Sequence, residues 1–185
     1  MLPEVRVLVE RAEAHRFALE GLLDAIPDSY WPRTAPGDAW PARTHLQHLA
    51  TIESLTDETV RAFLAGASDA WVGGASTTGM LAERRSALLA EVAESTVPEL
   101  RELMRDSRRE LSASLAALAP VHLDGSVFVA GLADAWGQPL RFSLREYLRS
   151  WPEHDGDHEG AIRRAIATTP DLSAAALVRR AQRGH

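Results

Sequence analysis

Apolar residues recur at intervals of three and four along four long stretches of this 185-residue chain, and that rhythm constrains the fold more than any other feature. The first runs from Pro3 to about Ile26 through Val5, Leu8, Val9, Ala12, Leu19, Leu22, Leu23 and Ile26. The second spans about Ala42 to Ala65, with His45, His48, Leu49, Ile52, Val60 and Phe63 on its inward side. The third opens at Thr96-Val97-Pro98-Glu99, a capping box with proline in its first turn, and continues through Leu100, Met104, Leu111, Leu115 and Leu118. The fourth opens at a second capping box, Ser143-Leu144-Arg145-Glu146, and carries Tyr147, Trp151, His154, His158, Ile162 and Ala165 on one face. A helix with an apolar stripe must bury it against another element. The expected class is therefore all-α, a four-helix bundle.

The segments between these stretches read differently. Pro27 to Pro41 holds four prolines with Trp31 and Trp40, an irregular connection whose tryptophans cover a bundle end or, for Trp40, wall a pocket. Residues 66–80 are glycine-rich and small, a surface crossover or a candidate lid, and Leu81 to Glu94 is a shorter helix. Together they form a long crossover between the second and third long helices. Within 120–140 the alternations Val127-Phe128-Val129 and Leu140-Arg141-Phe142 predict an irregular or strand-like excursion, with His122 at the surface. Pro152 removes a helical hydrogen bond, so the last helix either kinks there or restarts with Ser150-Trp151-Pro152-Glu153 as a new capping box. A short extra helix is expected at the C-terminus, around Leu172 to Gln182.

Length allows one well-buried core, so residues 1–185 are read as a single domain. A net charge of −6 with scattered arginines excludes nucleic acid as an expected partner. Arg105, Arg108 and Arg109 read as a solvated face pairing with Glu102 and Glu110. With no basic leader and no long apolar run, no membrane is expected and the cytoplasm is the default location. Cysteine is absent, so any thiol chemistry must use an external thiol.

Histidines carry the chemistry. His154 and His158 lie four apart, a spacing that puts their Cβ atoms about 6 Å apart on one helical face and lets both imidazoles reach one ion. A third imidazole from the second helix, His48 or His45 three residues earlier, completes a triangle. Three neutral imidazoles without a fourth protein donor leave coordination positions open, and imidazole suits zinc and nickel alike. Glu53, Asp155 and Asp157 are the nearby carboxylates able to orient a ligand or move a proton. His15 lies on the first stripe as a core or rim residue. The residue that follows the first histidine of the pair is Asp155 and not glutamate, which disfavours the HExxH peptidase arrangement.

These residues also stand in a recognisable order: Trp40 before the second helix, His48-Leu49 with Glu53 on it, and His154 to His158 with Ile162 on the last. In that order the chain resembles the DinB-like superfamily, which includes the YfiT-type proteins and thiol-dependent transferases. It departs from the pattern at Ala161, where a polar residue commonly precedes the isoleucine. The resemblance implies a four-helix bundle with the long crossover, a divalent metal on His48, His154 and His158, and a homodimer. For function it implies a thiol-dependent S-transferase acting on a small electrophile with a low-molecular-weight thiol. Metal-dependent hydrolysis of a small amide or ester is the second expectation. A non-enzymatic, stress-related binding protein with a structural metal is the third.

Overall fold

The computed structural model describes residues 1–167, so the expected C-terminal helix lies outside the described residues. Among the described residues, seven helices, α1 (Pro3–Leu23), α2 (Ala42–Leu64), α3 (Thr78–Glu91), α4 (Val97–Ala116), α5 (Pro120–Leu123), α6 (Leu144–Ser150) and α7 (His154–Ala167), accompany a small sheet of β1 (Asp69–Trp71), β2 (Ser126–Ala133) and β3 (Pro139–Ser143). The chain is thus mostly helical, as its periodicity requires, with a sheet as an addition. Both capping boxes form: the Thr96 hydroxyl and Glu99 carboxylate serve the start of α4, and Ser143 with Glu146 serves α6. Each satisfies backbone N–H groups that a helix leaves orphaned at its first turn.

The sheet occupies the strand-like stretch and captures part of the glycine-rich one. β1 pairs in parallel with β2 (Ala70 opposite Val127), and β2 pairs antiparallel with β3 (Val127 opposite Phe142). Val127 is fully buried in one core cluster with Phe63, Leu123 and Leu144. Residues 66–80 are consequently anchored: Val72, Gly73 and Ala75 are buried, and the Gly73 N–H donates to Thr59 Oγ1 on α2 at 3.2 Å. The middle of the candidate lid packs on the core, while residues 66–69 and 76–80 are exposed.

Pro152 neither breaks nor caps the last helix. Trp151–Glu153 tightens into a 3-10 turn, with αR geometry on both sides, between α6 and α7. The Ser150 hydroxyl donates back to the Tyr147 carbonyl at 3.0 Å instead of capping a new helix. His122 is half-buried, and its Nδ1 accepts from the Ala119 N–H at 3.0 Å, capping α5.

Two apolar clusters make the core. One holds Ala12, Leu55, Leu111 and Trp151; the other holds Leu19, Leu49, Met104 and Ile162. On each of four elements one charged residue falls between the clusters: Arg16 on α1, Glu53 on α2, Arg108 on α4 and Asp155 on α7, all buried. Arg108 Nε donates to Glu53 Oε1 at 2.8 Å and its terminal nitrogen to Asp155 Oδ2 at 2.9 Å, while Arg16 reaches Asp155 Oδ2 at 2.8 Å and the Met104 carbonyl at 2.9 Å. Two cations and two anions cancel, which is the condition for keeping charges in a core. This corrects the reading of Arg108 as part of a solvated face; only its neighbours stay outside, Arg105 with Glu102 and Glu20, and Arg109 with Asp106.

Candidate metal centre

The site lies where α2 and α7 face each other on the outer side of the polar layer. His48 is 9% exposed, His154 and His158 are half-buried, and one ring nitrogen from each lies within 4.8 Å of the others. The Nε2 atoms of His48 and His154 are 3.3 Å apart. Two nitrogens each 2.0–2.1 Å from a tetrahedral ion sit about 3.3–3.4 Å apart, so this spacing fits shared coordination. Burial and the neighbouring imidazoles push His48 and His158 down to about 3, and burial lowers His154 as well. At neutral pH all three are uncharged, the form that ligates a metal.

His45, one turn before His48 on α2, sits directly behind His158. Its Nε2 meets Asp38 Oδ2 at 3.1 Å and its Nδ1 meets His158 Nδ1 at 2.9 Å. A carboxylate accepts, so His45 carries its proton on Nε2 and its Nδ1 accepts from His158 Nδ1–H. That leaves Nε2 of His158 with its lone pair free. The backbone N–H of Trp40 donates to Asp38 Oδ1 at 3.0 Å and, together with His45, holds the Asp38 carboxyl below its usual range. The Trp40 ring itself lies 5.1 Å from His48 and stacks 6.2 Å from His158, so it walls the site.

The three expected carboxylates have separate fates. Glu53 and Asp155 are locked into the Arg16–Arg108 layer, with Trp151 Nε1 also donating to Glu53 Oε1 at 3.0 Å. Burial would raise Asp155, but the guanidinium groups of Arg16 and Arg108 outweigh it and hold its carboxyl low. Asp157 is exposed. His15 packs over Gly156, where an added Cβ would lie 2.9 Å from its Nδ1, and pairs with Glu153 at 3.4 Å, away from the triad.

Two cavities adjoin the histidines. One of about 230 Å³ is lined by Trp40, His48, Leu89 and His158. Another of about 180 Å³ is lined by Leu55, Val72, Val129, Tyr147 and Trp151, and both share Ile52, Arg85 and His154. The Tyr147 hydroxyl meets Thr56 Oγ1 at 3.3 Å, and burial raises its pKa, so it is a protonated phenol at neutral pH. Sequence periodicity did not mark Arg16, Arg108, Arg85 or Asp38. For Arg16 a signal existed, an arginine in register with Ala12 and Leu19 on an otherwise apolar stripe.

The sequence pattern of the DinB superfamily matches residues 11–162, a span that holds the histidines and the polar layer. The chain belongs to the DinB superfamily. Among solved structures, this DinB-superfamily chain is similar to a sibling lethal factor precursor, DfsB, at 17% identity and TM-score 0.62, covering 88% of this chain and 95% of that one. It is similar also to a mycothiol-dependent maleylpyruvate isomerase at 17% identity and TM-score 0.65, covering 92% of this chain. The chain spans 64% of that isomerase's own length. At such identity both neighbours attest the fold. No curated protein sequence matches the chain.

Proposed function

We propose that this DinB-superfamily protein is a metal-dependent enzyme that joins a low-molecular-weight thiol to a small electrophile. The observation that carries the reading is the triad His48, His154 and His158: three neutral imidazoles at coordination spacing, beside cavities rather than behind a fourth donor. A divalent ion there, zinc or nickel, supplies a Lewis acid that lowers the pKa of a bound thiol or water. The chain's own residues do the rest. His45 and Asp38 hold the His158 ring in one tautomer, as partners behind a ligand imidazole do. Trp40, Ile52 and Leu89 limit the water reaching the triad, and Tyr147 offers a proton donor in the adjoining cavity. With no cysteine in the chain, the sulfur must come from outside. The thiol would give its proton to solvent, its sulfur would form a bond to the electrophilic carbon, and that carbon's leaving group would depart with the bonding electron pair. Similarity in fold to a mycothiol-dependent isomerase supports thiol use.

Hydrolysis has less support, because it calls for a free carboxylate base, and Asp155 and Glu53 Oε1 are taken up by Arg16, Arg108 and Trp151, with Glu53 Oε2 alone of these oxygens left without a hydrogen bond. A purely structural metal fits poorly with open cavities against three ligands. We read α1, α2, α4 and α6–α7 as the four members of a bundle with a long crossover, in a single domain spanning 1–185, acting as a cytoplasmic homodimer without nucleic acid or membrane partners. Among the described residues no helix is long and apolar enough to cross a membrane.

Metal-loaded protein should consume free thiol when an activated aryl halide or epoxide is supplied, and chelation or His154→Ala should abolish the consumption. Hydrolysis of nitrophenyl esters by the loaded protein with no thiol consumed would reverse the order of these two readings.

A further inference from the structure

Arg85, on α3, is the one residue of both cavities whose charge has no answer in the site. Among the described residues it makes no ion pair or hydrogen bond, whereas Arg84 beside it donates to both carboxylate oxygens of Glu58 at 2.6 and 2.7 Å. The buried acids nearest the histidines are already neutralised by Arg16 and Arg108, and Asp38 is engaged by His45. The three imidazoles are uncharged. On the wall shared by the two cavities, Arg85 is therefore the charge left without a counter-charge among the described residues.

Position matters as much as charge. Arg85 lines both cavities together with Ile52 and His154, and its charge is felt at His48, His154 and the Tyr147 hydroxyl. A molecule lying in the 180 Å³ cavity, against Val72, Val129 and Trp151, can therefore reach Arg85 with one end and His154 with another. We propose that Arg85 anchors a carboxylate on the substrate, so that the site selects small, partly apolar electrophiles bearing one acid group. A planar guanidinium presents paired N–H donors that match a carboxylate in a forked geometry. One guanidinium balances one charge, which favours a carboxylate over a doubly charged phosphate. This rests on the reading of the triad as the reactive centre and adds to it the substrate's class and the residue that recognises it.

The test is a titration of metal-loaded protein, followed by NMR or calorimetry, with benzoate, its neutral isostere benzamide, and phenyl phosphate. Benzoate should bind about tenfold or more tightly than benzamide, charge-assisted hydrogen bonds being the stronger class. Arg85→Ala should erase that preference, and Arg85→Lys should restore only part of it. Arg85 is exposed, so neither variant threatens the fold. Three outcomes overturn the proposal: no benzoate preference in the wild type, a preference unchanged in Arg85→Ala, or tighter binding of phenyl phosphate than of benzoate. Repeating the series in chelator separates this claim from the metal. An Arg85-dependent preference that survives chelation upholds it even where the metal reading fails, and one that depends on metal alone places the acid on the ion and refutes it.

Discussion

Three imidazoles held below their ordinary range leave a signature in stability. An unfolded chain protonates His48 and His158 near pH 6.5, whereas the folded chain resists until about 3. Between those values the unfolded state binds more protons, so stability falls as pH falls. The melting temperature of chelated, metal-free protein should drop from pH 7 to pH 5, above the usual carboxylate range, and His158→Gln should make the drop shallower. A flat profile over that interval would mean the histidines are not buried as described. The histidine pair itself was legible from a spacing of four on one helix face. Its environment was not: Asp38 lies in a loop, and Arg108 looked solvated because Glu102 and Glu110 stand at helical spacing beside it. What made Arg108 internal is the meeting of four helices, which no single stripe records.

Among the elements, the helices followed from periodicity and capping chemistry, and their starts at Thr96 and Ser143 were visible as boxes of two residues. The short strands were visible only as alternation, and their partners depended on long-range pairing: β1 meets β2 across more than fifty residues. One glycine shows how closely the sheet is seated. A Cβ on Gly125, just before β2, would lie 2.4 Å from Phe63 Cε1 and 3.2 Å from the His122 carbonyl. Phe63 is fully buried at the end of α2 and has no room to give way. Gly125→Ala should therefore destabilise the protein by about 1–3 kcal/mol, read by denaturant or thermal unfolding, the usual range for overpacking a filled core. An unchanged midpoint would show that the end of α2 and the sheet are less tightly joined than this.

Taken whole, the molecule is two apolar clusters joined through a layer of buried ion pairs, with the histidine triad on the open side of that layer. This arrangement explains why the nearby carboxylates act on structure: Glu53 and Asp155 hold α1, α2, α4 and α7 together and so fix the faces from which His48, His154 and His158 project. On the proposed function, a metal held by the neutral imidazoles would be the source of reactivity, because the arginine layer takes up the nearby buried acids. Metal stoichiometry by mass spectrometry on gently purified wild type, His158→Ala and His45→Ala tests that claim most directly. The expected result is about one zinc or nickel per chain in the wild type, loss in His158→Ala, and retention in His45→Ala with affinity about 10–100-fold weaker, the usual effect of removing a partner behind a ligand. Wild-type protein that takes up no divalent metal even after reconstitution, or a His158→Ala variant that holds it as tightly as wild type, would contradict the account.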